Sequence, residues 1–356
     1  MTRAAGGVSV PRLDARIQEW EAVLRYRLRR DSGAKELAQA ERALGRTLSS
    51  TLRRRCREYA REVFGSERYS PWLAVYTLVR GEFREGWIPD NYYREYVMPS
   101  QNGSYGRLSR LRGVQQMVFA EDAFPDLLYA VNGLLVTPGR EVVTLSDALD
   151  RLFARTDAIV FKEDDSKQGT SVYFLERTSA KALLERPRRW NGVFQSVVTP
   201  HAALAAFHQG SVATMRLTTV VGPTGEPSLR AAYLRFATGV ETHIHGATSM
   251  RVAIAMQGGA LFDQGYSQTW QRLDRHPTSG KVFSGVTVPA FDEAVGLVLR
   301  CHRRVPYIQC IGWDVTVDPS ERPVLLEWEA AHNAIIFTEA TQGPCFTDLG
   351  WERLWR

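Results

Sequence analysis

An α/β (α+β) protein with a helical N-terminal region is predicted by three observations. Apolar residues recur at helical spacing from residue 11 to about residue 65. Farther along, β-branched and aromatic runs punctuated by turn residues read as strands at 158–176, 191–198 and 211–221. Near the end, Ile311-Gly312-Trp313-Asp314-Val315 and Val324-Leu325-Leu326-Glu327-Trp328-Glu329 read as strands joined by the turn Asp318-Pro319-Ser320-Glu321-Arg322-Pro323. The 356 residues, 44% hydrophobic and 24% charged, have ordinary globular composition. They suffice for two or three domains or one large α/β assembly.

The N-terminal region holds two helical runs. Trp20, Val23, Leu24, Tyr26 and Leu28 share one face; Leu37, Ala40, Leu44, Leu48 and Leu52 form the second, after Asp31-Ser32-Gly33. Arg53-Arg54-Arg55, Arg57 and Arg61 are a possible contact for nucleic acid or an acidic membrane. Glu58 and Glu62 interleave with them, which is the pattern of a solvated helix face. No nucleic-acid module accompanies the cluster. Residues 66–140 mix short helices and loops, and a helix from about Leu145 to Arg155 is opened by Ser146 or Asp147.

The next segment is a strand (Ala158-Ile159-Val160-Phe161-Lys162), a polar loop ending in Gly169-Thr170, and a return strand from Ser171 to Glu176. Such a loop can fold over a polyphosphate. Backbone N–H groups and the Thr170 and Ser171 hydroxyls would donate, and Lys162 would supply charge. No Walker loop, GxGxxG run or GxSxG elbow occurs. Asn191 to Val198 is another strand. From Ser211 to Val221 the alternation is strict: Thr214, Arg216 and Thr218 share one face, Met215, Leu217 and Thr219 the other. A mid-strand arginine between threonines suits a phosphate or carboxylate, or equally a rim salt bridge. His243 and His245 share a face if extended, without a third ligand for zinc. A Gly-rich hairpin, the loop Arg275-His276-Pro277-Thr278-Ser279-Gly280 and a helix from Ala290 to Arg304 then lead to the acidic hairpin.

In that hairpin Asp314 lies beside Glu327, and Glu327 and Glu329 point to one face. Three converging carboxylates repel one another unless a cation sits between them. Oxygen-only ligation suits magnesium; a merely solvated acidic face is the alternative.

Charge and cysteine usage add bounds. Five of the 45 Lys and Arg residues are lysines, so the net charge of +6 is carried almost wholly by arginine. A basic surplus permits polyanion binding and equally suits an enzyme of phosphate-bearing substrates. Cys56, Cys301, Cys310 and Cys345 are widely spaced, with no metal-ligand spacing, and read as reduced thiols. No signal core follows Met1, and no run is long enough to span a bilayer. A soluble, cytoplasmic protein is expected.

Taken together, these segments resemble the ATP-grasp superfamily, and within it the sugar-transfer-associated group, over most of residues 85–345. Thr214-Met215-Arg216, His276-Pro277-Thr278-Ser279-Gly280 and Ile311-Gly312-Trp313-Asp314-Val315 are the specific pieces. The resemblance implies a nucleotide held between two α+β subdomains. It divides the chain into a helical region (1–65), a small α/β domain (66–140), a lid subdomain with the phosphate loop (141–200) and a C-terminal catalytic subdomain (201–356).

The resemblance also implies roles. Lys162 would hold phosphates, with Gly169, Thr170 and Ser171 in the lid. Gln195, Ser196 and Val197 would border the adenine. Asp314, Glu327 and Glu329 would hold Mg2+, and Arg216 would meet the γ-phosphate and the oxyanion. Thr214, His243, His245 and Arg251 fall on the substrate side. The implied activity is an ATP- and Mg2+-dependent ligation of a small-molecule carboxylate to an amine, in natural-product or polysaccharide biosynthesis. An oligomer is compatible; neither a membrane nor nucleic acid is expected as partner. The chain departs from the family pattern at Glu163 (commonly Pro), Gln195 (usually Glu) and Glu329 (often Asn). Gln115 and Gln116 fall near an expected Asp-Lys pair. The alternatives are a non-catalytic relative and a polyanion-binding adaptor using the arginine-rich helices.

Overall fold

The computed structural model describes residues 32–119, 123–164, 172–186, 190–239 and 249–356. The helical run from Trp20 to Leu28 lies outside the described residues. Residues 32–44 are helical, and the helix Ser50–Phe64 follows. The spacing of Leu37, Ala40, Leu44, Leu48 and Leu52 suggested a single helix. Instead Gly45 turns left-handed at φ 62°, and Ser49 caps the next helix by accepting from Leu52 N. Leu48 packs inward from the connection, so the apolar period runs unbroken across a turn.

Helices Ser50–Phe64, Ser70–Arg80 and Ile336–Thr341 enclose an aromatic cluster that includes Phe64, Tyr76, Trp87, Phe337 and Trp351. Each such ring buries roughly 150–250 Å². The cluster joins the N-terminal helices to the end of the chain.

Two antiparallel sheets carry the rest. The first is built from β1 (Asp126–Val131), β2 (Leu134–Val136), β3 (Val142–Val143), β4 (Ile159–Glu163), β5 (Val172–Leu175) and β6 (Gly192–Ser196). Their order is β3-β2-β1-β6-β4-β5. Leu128, Ile159, Phe161 and Phe194 pack under helices Leu145–Leu152 and Arg177–Leu184. Lys162 and Gln195, alternate to these, therefore look the other way, and a bulge between Asp126 and Leu128 turns Asp126 to the same side as Gln195. The first of these helices is capped by Thr144, which accepts from Asp147 N, and not by Ser146 or Asp147. The helix simply begins earlier than the sequence signal suggested.

The second sheet holds β7 (Thr214–Val221), β8 (Pro227–Ala237), β9 (Ser249–Ile254), β10 (Leu261–Ser267), β11 (Arg272–Leu273), β12 (Cys310–Val317) and β13 (Pro323–Glu329). The order is β11-β10-β9-β8-β7-β12-β13. Met215, Leu217, Leu234, Val252, Trp313 and Val315 form a core with Ala294, Leu297, Val298 and Cys301 of helix Phe291–Arg303. The opposite face carries Arg216, Tyr233, Arg235, Arg251 and Asp314, as the pairings require.

The sheets meet along the free edge of β13. Lys162 Nζ donates to Leu326 O at 3.1 Å. Residues 123–125 bridge both sheets: Leu325 N donates to Ala123 O, and Ser196 N to Pro125 O. Among the described residues, no helix is long and apolar enough to cross a membrane.

Candidate active site

The acidic hairpin forms as β12 and β13, with Asp314 directly opposite Glu327. Asp314 is buried, and burial by itself raises a carboxyl pKa. Arg216 and Arg235 outweigh that effect and hold it below the usual carboxylate range. Arg216 is bidentate: Nε donates to Oδ1 at 2.6 Å and Nη2 to Oδ2 at 3.0 Å. Arg235 Nη2 adds 2.7 Å to Oδ2. Arg216 Nη1 also donates to Asn333 Oδ1 at 3.2 Å, and Asn333 Nδ2 donates to Thr218 Oγ1. Gly312 makes room for this. A Cβ there would collide with Asn333 Oδ1 and come within 3.0 Å of Arg216 Nη1.

Three carboxylates open to one ion were expected; in this structure Asp314 is engaged by arginines instead. The cations beside Asp314 are guanidinium groups. Among the described residues, no group of three or more His, Cys, Asp or Glu side chains is placed to hold a metal. Glu329 Oε1 accepts from the N–H of Ala331 and of His332, and burial raises its pKa. Glu327 faces Arg112, whose Nη2 stands 3.3 Å from Oε1.

Arg112 was not singled out in the sequence. It is buried in a short 3-10 turn, Arg112–Val114, with its Nε on Glu163 O and its backbone N–H on Asp164 Oδ1. Lys162 lies close by. Burial, and after it the Arg112 charge, lowers the Lys162 pKa to about 8. Two cations from the first half thus confront the carboxylate edge of β13. Like charges so placed call for an anion between or beside them.

At the other end of β6, Gln195 is buried and donates through Nε2 to Asp126 Oδ1 at 2.7 Å. Gln115 Nε2 and Tyr129 OH also donate to Asp126. Burial raises this carboxyl's pKa against the hydrogen bonds of those three donors. A glutamate in place of Gln195 would set a second carboxylate against Asp126 and repel it. At the end of β6, Ser196, Val197, Val198 and Thr199 line a cavity of about 330 Å³ with Phe124, Pro323 and Val324.

Gly169, Thr170, Ser171, His243 and His245 lie outside the described residues. Thr214 Oγ1 donates to Val212 O, a local bond. His276 is buried; its Nε2 bonds Ala237 O, and its Nδ1 accepts from Thr278 N and Ser279 N. It fastens its loop to the end of β8, near Arg235. Arg251 sits opposite Arg235 across β8 and β9.

Two antiparallel α+β halves closing along an edge of cations and carboxylates are the ATP-grasp arrangement. Residues 157–348, just over half the chain, match the model for sugar-transfer associated ATP-grasp proteins. The chain belongs to that family. None of the curated proteins matches it. Among solved structures it is similar to the ATP-grasp ligase PsnB complexed with minimal precursor, at 12% identity and TM-score 0.41, over 71% of this chain and 62% of that one. D-cycloserine synthetase DcsG gives 12%, 0.42, 71% and 71%. The D-alanine-D-alanine ligase from Coxiella burnetii gives 9%, 0.38, 69% and 58%. The chain thus spans less than two thirds of PsnB.

ATP and Mg2+ are typical of the family. The residues present fit them in a reduced form. Lys162 and Arg112 are the cations that would face a polyphosphate, while Glu327 and Glu329 are the carboxylates not bound to Asp314's arginines. Magnesium commonly takes one or two carboxylates and fills its shell with phosphate oxygens and water.

Proposed function

We propose that this protein is an ATP- and Mg2+-dependent carboxylate–amine ligase. The observation that carries the reading is the meeting of the two halves at β13. There Lys162 reaches Leu326 O, and Arg112 reaches Glu327 next to it. Cations from one half and carboxylates from the other are the groups that grip a metal-bound polyphosphate.

In this reading a carboxylate oxygen of the substrate attacks the γ-phosphorus of ATP, and ADP leaves. The acyl phosphate is then attacked at its carbonyl by an amine, and inorganic phosphate departs with the bridging oxygen. Lys162 and Arg112 orient the phosphates, the adenine rests beside Ser196 and Val197 at the end of β6, and Glu327 and Glu329 would hold Mg2+. When bound, the metal supplies Lewis-acid charge to the phosphoryl oxygens. Arg216 spends three of an arginine's five N–H groups on Asp314 and Asn333. The two left are donors for oxygens that gain charge in the transition state. Asp314 keeps that fork rigid, which is a positioning task.

The test uses the full chain with Mg-ATP, a panel of acids and hydroxylamine. ADP release that depends on an acid, with formation of its hydroxamate, is the expected result. ATP turnover unaffected by any acid, with no hydroxamate, contradicts the proposal.

A further inference from the structure

Beyond Asp314 the charged face of the second sheet continues with Arg251, which forms no ion pair among the described residues. Arg235 on β8 and Arg251 on β9 are directly opposed in register, so their side chains share that face. Like charges so placed destabilise a sheet. Arg235 spends one nitrogen, Nη2, on Asp314, and its Nε is buried without a partner. Arg251 has a buried, unpartnered Nε as well. Among the described residues no hydrogen bond or ion pair reaches its guanidinium. Its charge lies over the rings of Trp270, at 5.7 Å, and Phe337, at 5.0 Å. Burial lowers its pKa, against the opposing pull of Tyr233 and Glu36, and the Arg235 charge adds to the lowering.

The geometry is informative. Stacking on aromatic faces fixes the guanidinium plane and leaves its N–H edge for a planar anion. Arg235 keeps 27% of its side chain exposed. The nearby acid, Glu36, is engaged by Trp270, whose Nε1 donates to it at 2.7 Å. Two opposed guanidiniums, with apolar rings beneath one of them, form a place for a carboxylate on an otherwise apolar chain.

We propose that Arg235 and Arg251 form an anion subsite that binds a second carboxylate of the substrate, making the substrate a dicarboxylic acid. The assignment of a second carboxylate rests on the ligase reading above; the subsite does not. The strands of Arg216 and Arg251 are two spacings apart, about 10 Å. The second carboxylate is therefore held a few carbons from the one that is activated.

The experiment titrates the full chain with succinate, glutarate, adipate and their monomethyl esters by calorimetry, without ATP. One diacid is expected to bind saturably, in the millimolar range or tighter. Arg251→Gln should weaken that diacid at least tenfold and leave its ester unchanged. A merely structural arginine would shift the melting temperature while leaving the diacid-to-ester ratio alone. If the Gln variant does not fold, Arg251→Lys carries the test. It keeps the charge, loses the fork, and should weaken the diacid about threefold. Absence of diacid binding to the parent overturns the subsite, and so does equal diacid affinity in parent and folded variant. Diacid binding that depends on Arg251, with no hydroxamate from any acid, overturns the ligase reading and leaves the subsite standing.

Discussion

Replacing Arg216 by methionine keeps most of the stem volume and removes the charge beside Asp314. The bonds lost are two to Asp314, at 2.6 and 3.0 Å, and one to Asn333 at 3.2 Å. Asp314 stays buried, with only the 2.7 Å bond from Arg235. Removing one partner of a buried pair costs about 3–5 kcal/mol, because the other charge is stranded. Arg235 remains, so the loss should fall near the lower end, about 3 kcal/mol. Asp314→Asn should cost a similar amount by leaving two arginines facing each other. The double variant strands neither, and the cycle should give a coupling of about 2 kcal/mol. The assay is urea unfolding of the four proteins at pH 7, read by tryptophan fluorescence. Acid supplies a second check. The folded pKa of Asp314 is depressed, so its contribution is complete above the ordinary carboxylate pKa of about 4. It fades as pH falls from there toward the folded value. The gap between parent and Asp314→Asn should shrink in that window. A coupling below about 0.5 kcal/mol, the scatter for independent sites, would refute the reasoning and free Asp314 for a metal.

Four further outcomes follow from the same geometry. Lys162→Ala should weaken ATP binding by about 1.5–3 kcal/mol, the range for a hydrogen bond to a charged partner; equal affinity by calorimetry removes Lys162 from the site. Because the free Lys162 pKa is lowered to about 8, it is largely neutral at pH 9. Binding of a polyphosphate there should take up a proton, seen as a binding heat that varies with the ionisation heat of the buffer. Glu327→Gln should abolish ADP formation while the fold melts within a few degrees of the parent. Full turnover in that variant rules the carboxylate out as a metal ligand. Gln195→Glu places a carboxylate against Asp126, where both cannot ionise together. It should destabilise the protein at pH 7 and recover at pH 5, and Asp126→Asn in the same chain should restore stability at pH 7. No destabilisation at pH 7 would show that the pair is not held as described.

The parts legible in the sequence are those in which chemistry and local pattern coincide. Apolar β-branched runs around a Pro- and Asp-bearing turn made β12 and β13 readable, and register then put Asp314 opposite Glu327. Period-two alternation placed Arg216 correctly away from Met215 and Leu217. What Arg216 touches was not readable, because Asp314 is 98 residues away. No local signal links β7 to β12. Arg112 was missed for a related reason: it lies in irregular chain, and its burial comes from Glu163, Asp164 and Glu327. Asp126 was not singled out in the sequence; only its pairing with Gln195 reveals its role. The three-carboxylate reading counted the acids of the hairpin without the arginines that neighbouring strands bring to Asp314.

The measurement that bears most directly on the central claim follows the substrate's own oxygen. An active acid, labelled with 18O in its carboxylate, is turned over with Mg-ATP and an amine, and the inorganic phosphate is analysed by mass. Attack of the carboxylate on the γ-phosphorus leaves the bridging oxygen with phosphate when the amine displaces it. The account predicts one 18O transferred to phosphate for each amide formed. Phosphate that carries only solvent oxygen would contradict it and leave an ATPase without acyl activation.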